Sequence, residues 1–335
     1  MKNIVSTSWL LVMIALGWSA CGHDSAKSSI ASDNAPDSAT QYICPMNCEK
    51  GKTYDQPGTC PICHMDLKPI TVAQKANTAE YFSRFSAEPT PLEAGKPAKL
   101  MFTPSIRGNE SALVPLDLTH EKKMHLIVVS DDLSWFDHIH PAYTTSGAYE
   151  IKVIGQGEPF ANGRGHDETR FDYGGKYWAF ADYKPTGGLN QVNQIELNVQ
   201  GLASTQTTYS SAKTVAKVDG YTVAIELPKE QKYLKTGISL DFPVSIQKND
   251  KAVDPASFDL FLGEKAHVVM IETSSKAYVH THPEAKDGRL HILTSFSTPG
   301  IYRAWLQFQT EGVVHTADFV LKVVGEKTSL EGHSH

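Results

Sequence analysis

The chain contains an internal repeat, and this repeat limits the folds that the sequence can adopt. The segment HLIVVSDDLSWFDHIHP at 125–141 aligns without a gap with HVVMIETSSKAYVHTHP at 267–283. Further along, GGKYWAFADY at 174–183 matches PGIYRAWLQF at 299–308, and the first copy carries an insertion between the two blocks. We therefore predict two copies of one domain, at 81–201 and 205–325.

Both predicted copies consist of short runs rich in β-branched and aromatic residues, such as HLIVVS, YEIKVIG, YTVAIEL and ADFVLKVV. Gly, Pro, Asn and Asp separate the runs, and no long amphipathic helix is apparent. Runs of this length and spacing are typical of an all-β sandwich. We predict a mainly β fold, in which a small Cys-rich module precedes two tandem immunoglobulin-like β-sandwich domains.

The N-terminus has the pattern of an export signal. Lys2 precedes an apolar run at 9–17 that is too short to cross a bilayer as a helix, and small residues stand directly before Cys21. This order resembles a lipoprotein signal, which implies cleavage before Cys21 and acylation of that residue. We predict a lipoprotein signal peptide at 1–20 and a flexible tether at 21–41, with plain secretion as the alternative. The predicted location is the bacterial cell envelope, lipid-anchored and periplasm-facing or at the outer membrane.

The remaining segments and the charge restrict the partners. Residues 71–80 are predicted to be a second linker, and 326–335 a disordered tail. The chain has 31 Lys and Arg residues against 37 Asp and Glu residues, a formal net charge of −6. A mildly acidic chain without a basic stripe indicates no nucleic-acid partner.

Four of the five cysteines cluster in one short segment, which we call the Cys module and predict at 42–70. They form a C-x3-C pair and a C-x2-C pair: Cys44 and Cys48, then Cys60 and Cys63. Thiolates are natural ligands of zinc and Cu(I), and four of them can complete a tetrahedral site. Thioether and imidazole donors stand beside them: Met46, His64 and Met65. Thioethers favour Cu(I) over zinc.

This segment resembles the heavy-metal-binding domain of copper and silver efflux proteins, whose pattern is roughly Y-x-C-P-M-H-P, a spacer, then P-G-x-C-P-x-C-G-M-x-L. The matching residues are Tyr42, Cys44, Pro45, Met46, Pro57, Gly58, Cys60, Pro61, Cys63, Met65 and Leu67. Three residues depart from the pattern. Asn47 replaces a His, Cys48 replaces a Pro and His64 replaces a Gly. The resemblance implies exchangeable heavy-metal binding, and the departures bear on metal preference. A closed structural zinc knuckle and two disulfides are the alternatives.

Each repeat also carries a His followed by a His-x-His pair, and we call these sets the first and second His trio: His125, His138 and His140, then His267, His280 and His282. Residues two apart in a strand share a face, so the paired histidines point the same way. Three imidazoles suit Cu(II) or Zn(II). The alternative is that these histidines hold a strand end by hydrogen bonds.

The repeated domains resemble an uncharacterised envelope β-domain often joined to heavy-metal-binding segments. The matching residues are His125, the segment 137–141 and the segment 177–183. The resemblance implies no established activity.

We predict a non-enzymatic, envelope-anchored lipoprotein that binds metal ions, with copper as Cu(I) preferred and zinc as the alternative. It would sequester the ion or hand it to a metal efflux system. A structural or adhesion lipoprotein with a zinc knuckle is the alternative function. An efflux adaptor would need sustained heptads, and a His-ligated zinc hydrolase would need a placed general base. The sequence offers neither.

Overall fold

The computed structural model describes residues 40–161, 167–227 and 233–328. The predicted signal peptide, Cys21 and most of the predicted tether and tail lie outside the described residues. Within those ranges, no helix has both the length and the apolar character needed to cross a membrane.

The Cys module is built on a small antiparallel sheet with the strand order β2-β1-β3. Its strands are β1 (Tyr42–Ile43), β2 (Thr53–Tyr54) and β3 (Lys68–Pro69). A short helix, α1 (Val72–Ala76), follows within the predicted linker. Thr71 and Gln74 form a reciprocal capping box at its N-terminus, which satisfies backbone donors that the helix leaves unpaired.

The first repeat forms two sheets. Its strands are β4 (Tyr81–Glu88), β5 (Leu92–Glu93), β6 (Ala98–Ile106), β7 (Met124–Ser130), β8 (Phe136–Ile139), β9 (Ala142–Tyr143), β10 (Tyr149–Val153), β11 (Glu168–Thr169), β12 (Gly175–Tyr183) and β13 (Gln191–Gln200). One sheet has the order β11-β10-β6-β4, with β9 beside β10. The other has the order β5-β13-β12-β7-β8.

The second repeat has the same plan. Its strands are β14 (Val215–Val218), β15 (Tyr221–Ile225), β16 (Leu234–Lys235), β17 (Leu240–Lys248), β18 (Lys251–Ala252), β19 (Ala266–Glu272), β20 (Tyr278–Thr281), β21 (Glu284–Lys286), β22 (Arg289–Thr294), β23 (Gly300–Thr310) and β24 (Val313–Val324). A 3-10 helix spans Pro255–Ser257. The sheets have the orders β14-β15-β17-β22-β21, with β18 beside β17, and β16-β24-β23-β19-β20. The protein is thus mainly β, with two tandem immunoglobulin-like sandwiches, as predicted.

Strand burial shows which sheets meet. β13 alternates between exposed and more buried residues along most of its length, as expected for a sheet with one solvated face. Every residue of β7 and of β19 is buried. In β7, Leu126 and Val128 belong to the core of the first repeat, whereas Ile127 and Val129 belong to a separate apolar cluster. The second faces of these two strands are therefore covered by the opposite repeat.

The two repeats contact each other through a pseudo-two-fold interface. Phe136 of the first repeat stacks on Trp305 of the second, with ring centroids 4.5 Å apart. The equivalent pair with the repeats exchanged is Tyr278 and Phe180, stacked at 4.9 Å. A self-complementary contact of this kind is the intramolecular counterpart of an isologous dimer interface.

Candidate metal centres

The four cysteines of the Cys module bring their sulfurs together. Cys44 Sγ lies 3.6 Å from Cys63 Sγ and 3.7 Å from Cys48 Sγ, and all four sulfurs lie within 4.8 Å of one another. A tetrahedral ion with metal–sulfur bonds of about 2.3 Å separates its thiolates by roughly 3.8 Å. A disulfide needs about 2.05 Å, and the four cysteines are free. The spacing therefore matches ligands of one tetrahedral ion.

Backbone turns aim the sulfurs. The amide of His64 donates to the carbonyl oxygen of Cys60, and the amide of Cys60 donates to that of Met65, each at 2.9 Å. The Ile62 amide lies 3.4 Å from Cys60 Sγ. Asn47 and His64 close their turns with φ of 52° and 57°, a left-handed conformation that asparagine tolerates better than most residues. Two tight turns thus place the two cysteine pairs against each other.

The sulfur cluster is buried on one side and accessible on the other. Cys44, Cys60 and Cys63 are buried, with Cys60 0% exposed, whereas Cys48 is half-buried. The contacts with Cys48, Cys60 and Cys63 hold the pKa of Cys44 far below its usual value, while the contact with Cys44 raises the pKa of Cys48. The contact with Cys44 opposes ionisation of Cys60, but the contacts with Cys48 and Cys63 lower its pKa, and the contact with Cys44 raises the pKa of Cys63. Negative charge is thus shared unequally among the four sulfurs, and a cation would stabilise the fully ionised set.

The other donors predicted in the module have different environments. Met46 is buried in the same apolar cluster as the cysteines, and Met65 packs against that cluster while partly exposed. His64 Nε2 instead lies 2.9 Å from Ser239 Oγ of the second repeat. The structure therefore brings both methionines near the sulfurs and directs the His64 imidazole elsewhere.

The Cys module is packed onto the repeats by specific hydrogen bonds. Asn47 Nδ2 donates to the backbone oxygen of Asn190 in the first repeat at 2.9 Å. In the second repeat, the Ser295 amide donates to the oxygen of Ile62 at 2.9 Å. Thr281 Oγ1 lies 3.4 Å from the oxygen of Cys63, and Thr281 stands between two histidines of the second trio. The thiolate cluster is thus a near neighbour of that trio.

The first His trio lies at the interface between the repeats, with His125 in β7, His138 in β8 and His140 directly after β8. His125 Nδ1 lies 3.3 Å from His138 Nε2, and one ring nitrogen from each of the three residues lies within 4.8 Å of the others. A tetrahedral ion with metal–nitrogen bonds of about 2.0–2.1 Å separates its nitrogens by roughly 3.4 Å. The backbone oxygen of Thr119 fixes the other nitrogen of His125 at 2.9 Å. This geometry fits a three-nitrogen metal site.

The second His trio repeats this geometry on β19 and β20. His267 Nδ1 lies 3.5 Å from His280 Nε2, and His267 Nε2 lies 2.8 Å from the backbone oxygen of Phe261. One donor nitrogen each of His267, His280 and His282 lies within 4.8 Å of the others. Both ring nitrogens of His282 are buried and have no hydrogen-bond partner among the described residues. Buried polar atoms without partners are costly, and a metal ion would provide a partner.

Each trio is supported by the opposite repeat. His138 Nδ1 contacts Gln307 Oε1 of the second repeat at 2.8 Å. His280 Nδ1 contacts Asp182 Oδ2 of the first repeat at 3.4 Å, and Asn190 donates to the other oxygen of Asp182 at 2.8 Å. A partner on the far nitrogen of a ligating histidine fixes its tautomer and orientation. A metal site at either trio would therefore include supporting residues from both repeats.

Burial keeps several of these histidines neutral. It lowers the pKa of His125, and lowers the pKa of His138, His267 and His282 further still. Burial alone would raise the pKa of Asp182, but the hydrogen bonds from His280 and Asn190 lower it, so this carboxylate stays ionised. Neutral imidazoles are the form that binds metal.

Two cavities reach the trios. The larger, about 610 Å³, is lined by Met46 and Cys48 of the Cys module and by Asp182 and His280. The smaller, about 460 Å³, is lined by His138 and Gln307. The two openings are related by the pseudo-two-fold symmetry, and the Cys module covers part of the one that leads to the second trio.

Sequence reasoning missed three residues of these centres. Asp182 and Gln307 occupy equivalent positions in the aligned blocks, but their contacts cross between repeats, which no local pattern indicates. His120 lies in a loop, with its ring centroid 4.1 Å from that of His282 and 6.2 Å from that of His125. No histidine stands at the equivalent place in the second repeat, so the internal alignment gave no signal for it.

Fold and centres together define a two-repeat β-sandwich protein with an attached four-cysteine module. A family model for a heavy metal binding domain matches residues 41–70. A model described as a domain of unknown function (DUF8832) matches residues 77–201 and 216–325, which is more than half of the chain. The chain therefore belongs to the DUF8832 family and carries a heavy metal binding domain. These matches confirm both resemblances found in the sequence.

No curated protein matches the chain. Among solved structures, fibronectin(III)-like modules of Clostridium thermocellum CbhA align with 75% of this chain and 99% of their own, at 13% identity and a TM-score of 0.21. The Ig1-2 module of the Drosophila receptor protein tyrosine phosphatase DLAR aligns with 72% of this chain and 99% of its own, at 10% identity and a TM-score of 0.20. Scores this low support no transfer of function.

Proposed function

We propose that this chain is a non-enzymatic metal carrier of the bacterial cell envelope, which holds copper as Cu(I) at the four thiolates of the Cys module. It sequesters the ion or delivers it to a metal efflux system. The two His trios are additional sites for Cu(II) or Zn(II). Cys21 carries the lipid anchor.

The observation that carries this proposal is the convergence of four free cysteine sulfurs at the spacing of a tetrahedral site. Thiolates and thioethers are soft donors that select Cu(I), and Met46 is buried in the same cluster. Zinc takes the same tetrahedral geometry and is the competing ion.

A carrier must also release its ion, and the position of Cys48 supports this. Four thiolates can also complete a structural zinc site, so release depends on access to the ligands, and Cys48 is half-buried and lines the larger cavity. That cavity also reaches His280. An ion leaving the thiolates therefore enters a cavity with nitrogen donors rather than bulk apolar protein. This supports transfer over a purely structural zinc knuckle.

The metal is tested by competition titration of the chain from residue 22, purified under reducing conditions. Cu(I) and Zn(II) are titrated against chelators of known affinity, beside a variant with Cys44, Cys48, Cys60 and Cys63 all changed to Ser. Tight, reversible Cu(I) binding that disappears in the variant supports the carrier. If the protein instead holds zinc without exchange and shows no preference for Cu(I), the carrier proposal is wrong and the structural or adhesion function takes its place.

A matched control is His64→Gly. This substitution introduces the residue of the heavy-metal-binding pattern at a position with φ of 57°, which glycine adopts freely. Because the His64 imidazole contacts Ser239 rather than a sulfur, Cu(I) affinity is expected to change by less than about threefold, or 0.7 kcal/mol. A loss as large as that of the Cys variant would add His64 to the ligand set.

The anchor is tested by Cys21→Ser in the full-length chain. Acylation gives firm membrane attachment, so the unsubstituted protein is expected in the membrane fraction and the variant in the soluble one. Mass spectrometry of the mature N-terminus checks the acyl group directly. An unchanged distribution would remove the lipoprotein assignment and leave metal binding untouched.

A further inference from the structure

Beside the two trios, a third group of metal-ligating side chains lies between the repeats and shares His282 with the second trio. His120 Nδ1 lies 3.6 Å from Glu264 Oε1, and the ring centroids of His120 and His282 are 4.1 Å apart. One donor atom from each of these three residues lies within 4.8 Å of the others. His120 belongs to the first repeat, and Glu264 and His282 belong to the second, so neither repeat forms the group alone.

A feature of this group points to a ligand rather than to simple packing. Both ring nitrogens of His282 are buried without a hydrogen-bond partner among residues that the structure describes. A histidine buried in this way loses its hydration without compensation. His282 also belongs to the second trio. A neutral imidazole ligates one ion through one nitrogen. For both sites to be filled together, His282 would release its N–H proton to solvent and bridge the two ions as an imidazolate.

The group is also not a by-product of the internal duplication. In the repeat alignment, Leu262 corresponds to His120, and Lys122 corresponds to Glu264. The symmetric counterpart would consist of Leu262, Lys122 and His140, and only His140 of these has a metal-ligating side chain at neutral pH. Each repeat carries its own His trio at equivalent positions. In contrast, the first repeat has His120 without an equivalent in the second, and the second has Glu264 without an equivalent in the first.

We propose that His120, Glu264 and His282 form a binding site for a borderline divalent cation, of which Zn(II) is the probe, and that this ion joins the two repeats. Two imidazoles and one carboxylate are a known donor set for zinc with one coordination position left open. Because its ligands come from both repeats, the ion stabilises their association. This site is additional to the thiolate site and does not depend on it.

The test measures zinc binding to the chain from residue 22 with its cysteines kept reduced. The variants His120→Leu and Glu264→Gln are measured separately beside it. His120→Leu introduces the residue found at the equivalent position of the other repeat, and Glu264→Gln preserves shape. Calorimetry counts the ions bound after the thiolates are saturated. In each variant, the affinity for one of these later zinc ions is expected to fall by at least about tenfold. This is the lower end of the loss that follows removal of a residue that only supports a metal ligand.

Thermal unfolding gives a second readout. A ligand that binds only the folded state raises its stability with concentration, so zinc should raise the Tm of the unsubstituted chain more than that of either variant. The Tm without zinc should stay nearly the same for Glu264→Gln. The proposal is overturned if both variants bind as many zinc ions, with the same affinities and the same zinc-dependent rise in Tm. A failure of Cu(I) binding at the thiolates would leave this result unaffected.

Discussion

At the scale of single residues, the departures from the heavy-metal-binding pattern have separate consequences. Cys48 joins the other three sulfurs and completes a four-thiolate set. Asn47 and His64 contact Asn190 and Ser239 of the repeats instead. Asn47 and His64, which replace the His and the Gly of the pattern, therefore attach the Cys module to the two repeats. The sequence predicted that the departures bear on metal preference. In this geometry Asn47 removes a donor, Cys48 adds a sulfur, and the His64 imidazole contacts Ser239.

The buried neutral histidines predict how stability depends on pH. Burial lowers the pKa of His120 to about 4, and it also lowers the pKa of four further histidines: His125, His138, His267 and His282. Below pH 6.5 the unfolded chain binds protons that the folded chain does not. The stability that these neutral histidines contribute is therefore fully present above pH 6.5 and is lost progressively as the pH falls below that value.

The expected result is a lower free energy of unfolding for the metal-free chain at pH 5.5 than at pH 7.5. Each such histidine contributes about 1.4 kcal/mol in total over this range of pH. Urea unfolding at pH 7.5, 6.5 and 5.5 measures the change, in a range where ordinary carboxylates remain ionised. Equal unfolding midpoints at all three pH values would show that the histidines are hydrated or protonated in the folded chain.

At the scale of elements, strands β8 and β20 show what the sequence can and cannot predict. The His-x-His spacing predicted two histidines on one face. His138 lies in β8 and His280 in β20, each on the face towards the opposite repeat, and the second histidine of each pair directly follows its strand. The supporting residues were not predictable, because Asp182 and Gln307 reach their histidines only after two distant sheets pack together. Strand alternation is a local property, whereas the partner of a sheet face is not.

The difference between Asp182 and Gln307 predicts that the trios are unequal. A carboxylate on the far nitrogen makes His280 the more basic ligand, so Asp182→Asn should lower the affinity of the second trio for Zn(II) or Cu(II) by about 10–100-fold. Gln307→Glu is the matched exchange at the first trio and should raise its affinity. Both are measured by competition titration with the thiolates saturated. Equal affinities in Asp182→Asn and the parent chain would exclude this support role.

At the scale of the whole molecule, the repeat predicted the two sandwiches but not their mutual arrangement. Reciprocal stacking of Phe136 on Trp305 and of Phe180 on Tyr278 creates two equivalent openings towards the trios. The Cys module contacts the second repeat at Ser295 and covers only one of them. Symmetric repeats thus become an asymmetric molecule, with one trio beside a thiolate site and the other open through the smaller cavity.

This asymmetry predicts the route by which metal leaves the thiolates. Ala277 lines the cavity that joins Cys48 to His280, and Trp135 occupies the equivalent position of the first repeat. Ala277→Trp should therefore be compatible with the fold while narrowing this cavity. We expect release of Cu(I) or Zn(II) from the module to an external chelator to slow by about tenfold, a barrier increase of 1.4 kcal/mol, with little change in equilibrium affinity.

Stopped-flow transfer to a coloured chelator measures this rate, and Ser134→Trp is the control, because Ser134 lines the smaller cavity away from the module. Its release rate should equal that of the parent chain. Slower release in Ala277→Trp alone means that ions pass by the second trio on their way out. Equal rates in all three proteins would mean that the thiolates exchange metal directly with solvent, and that closeness to the second trio plays no part in delivery.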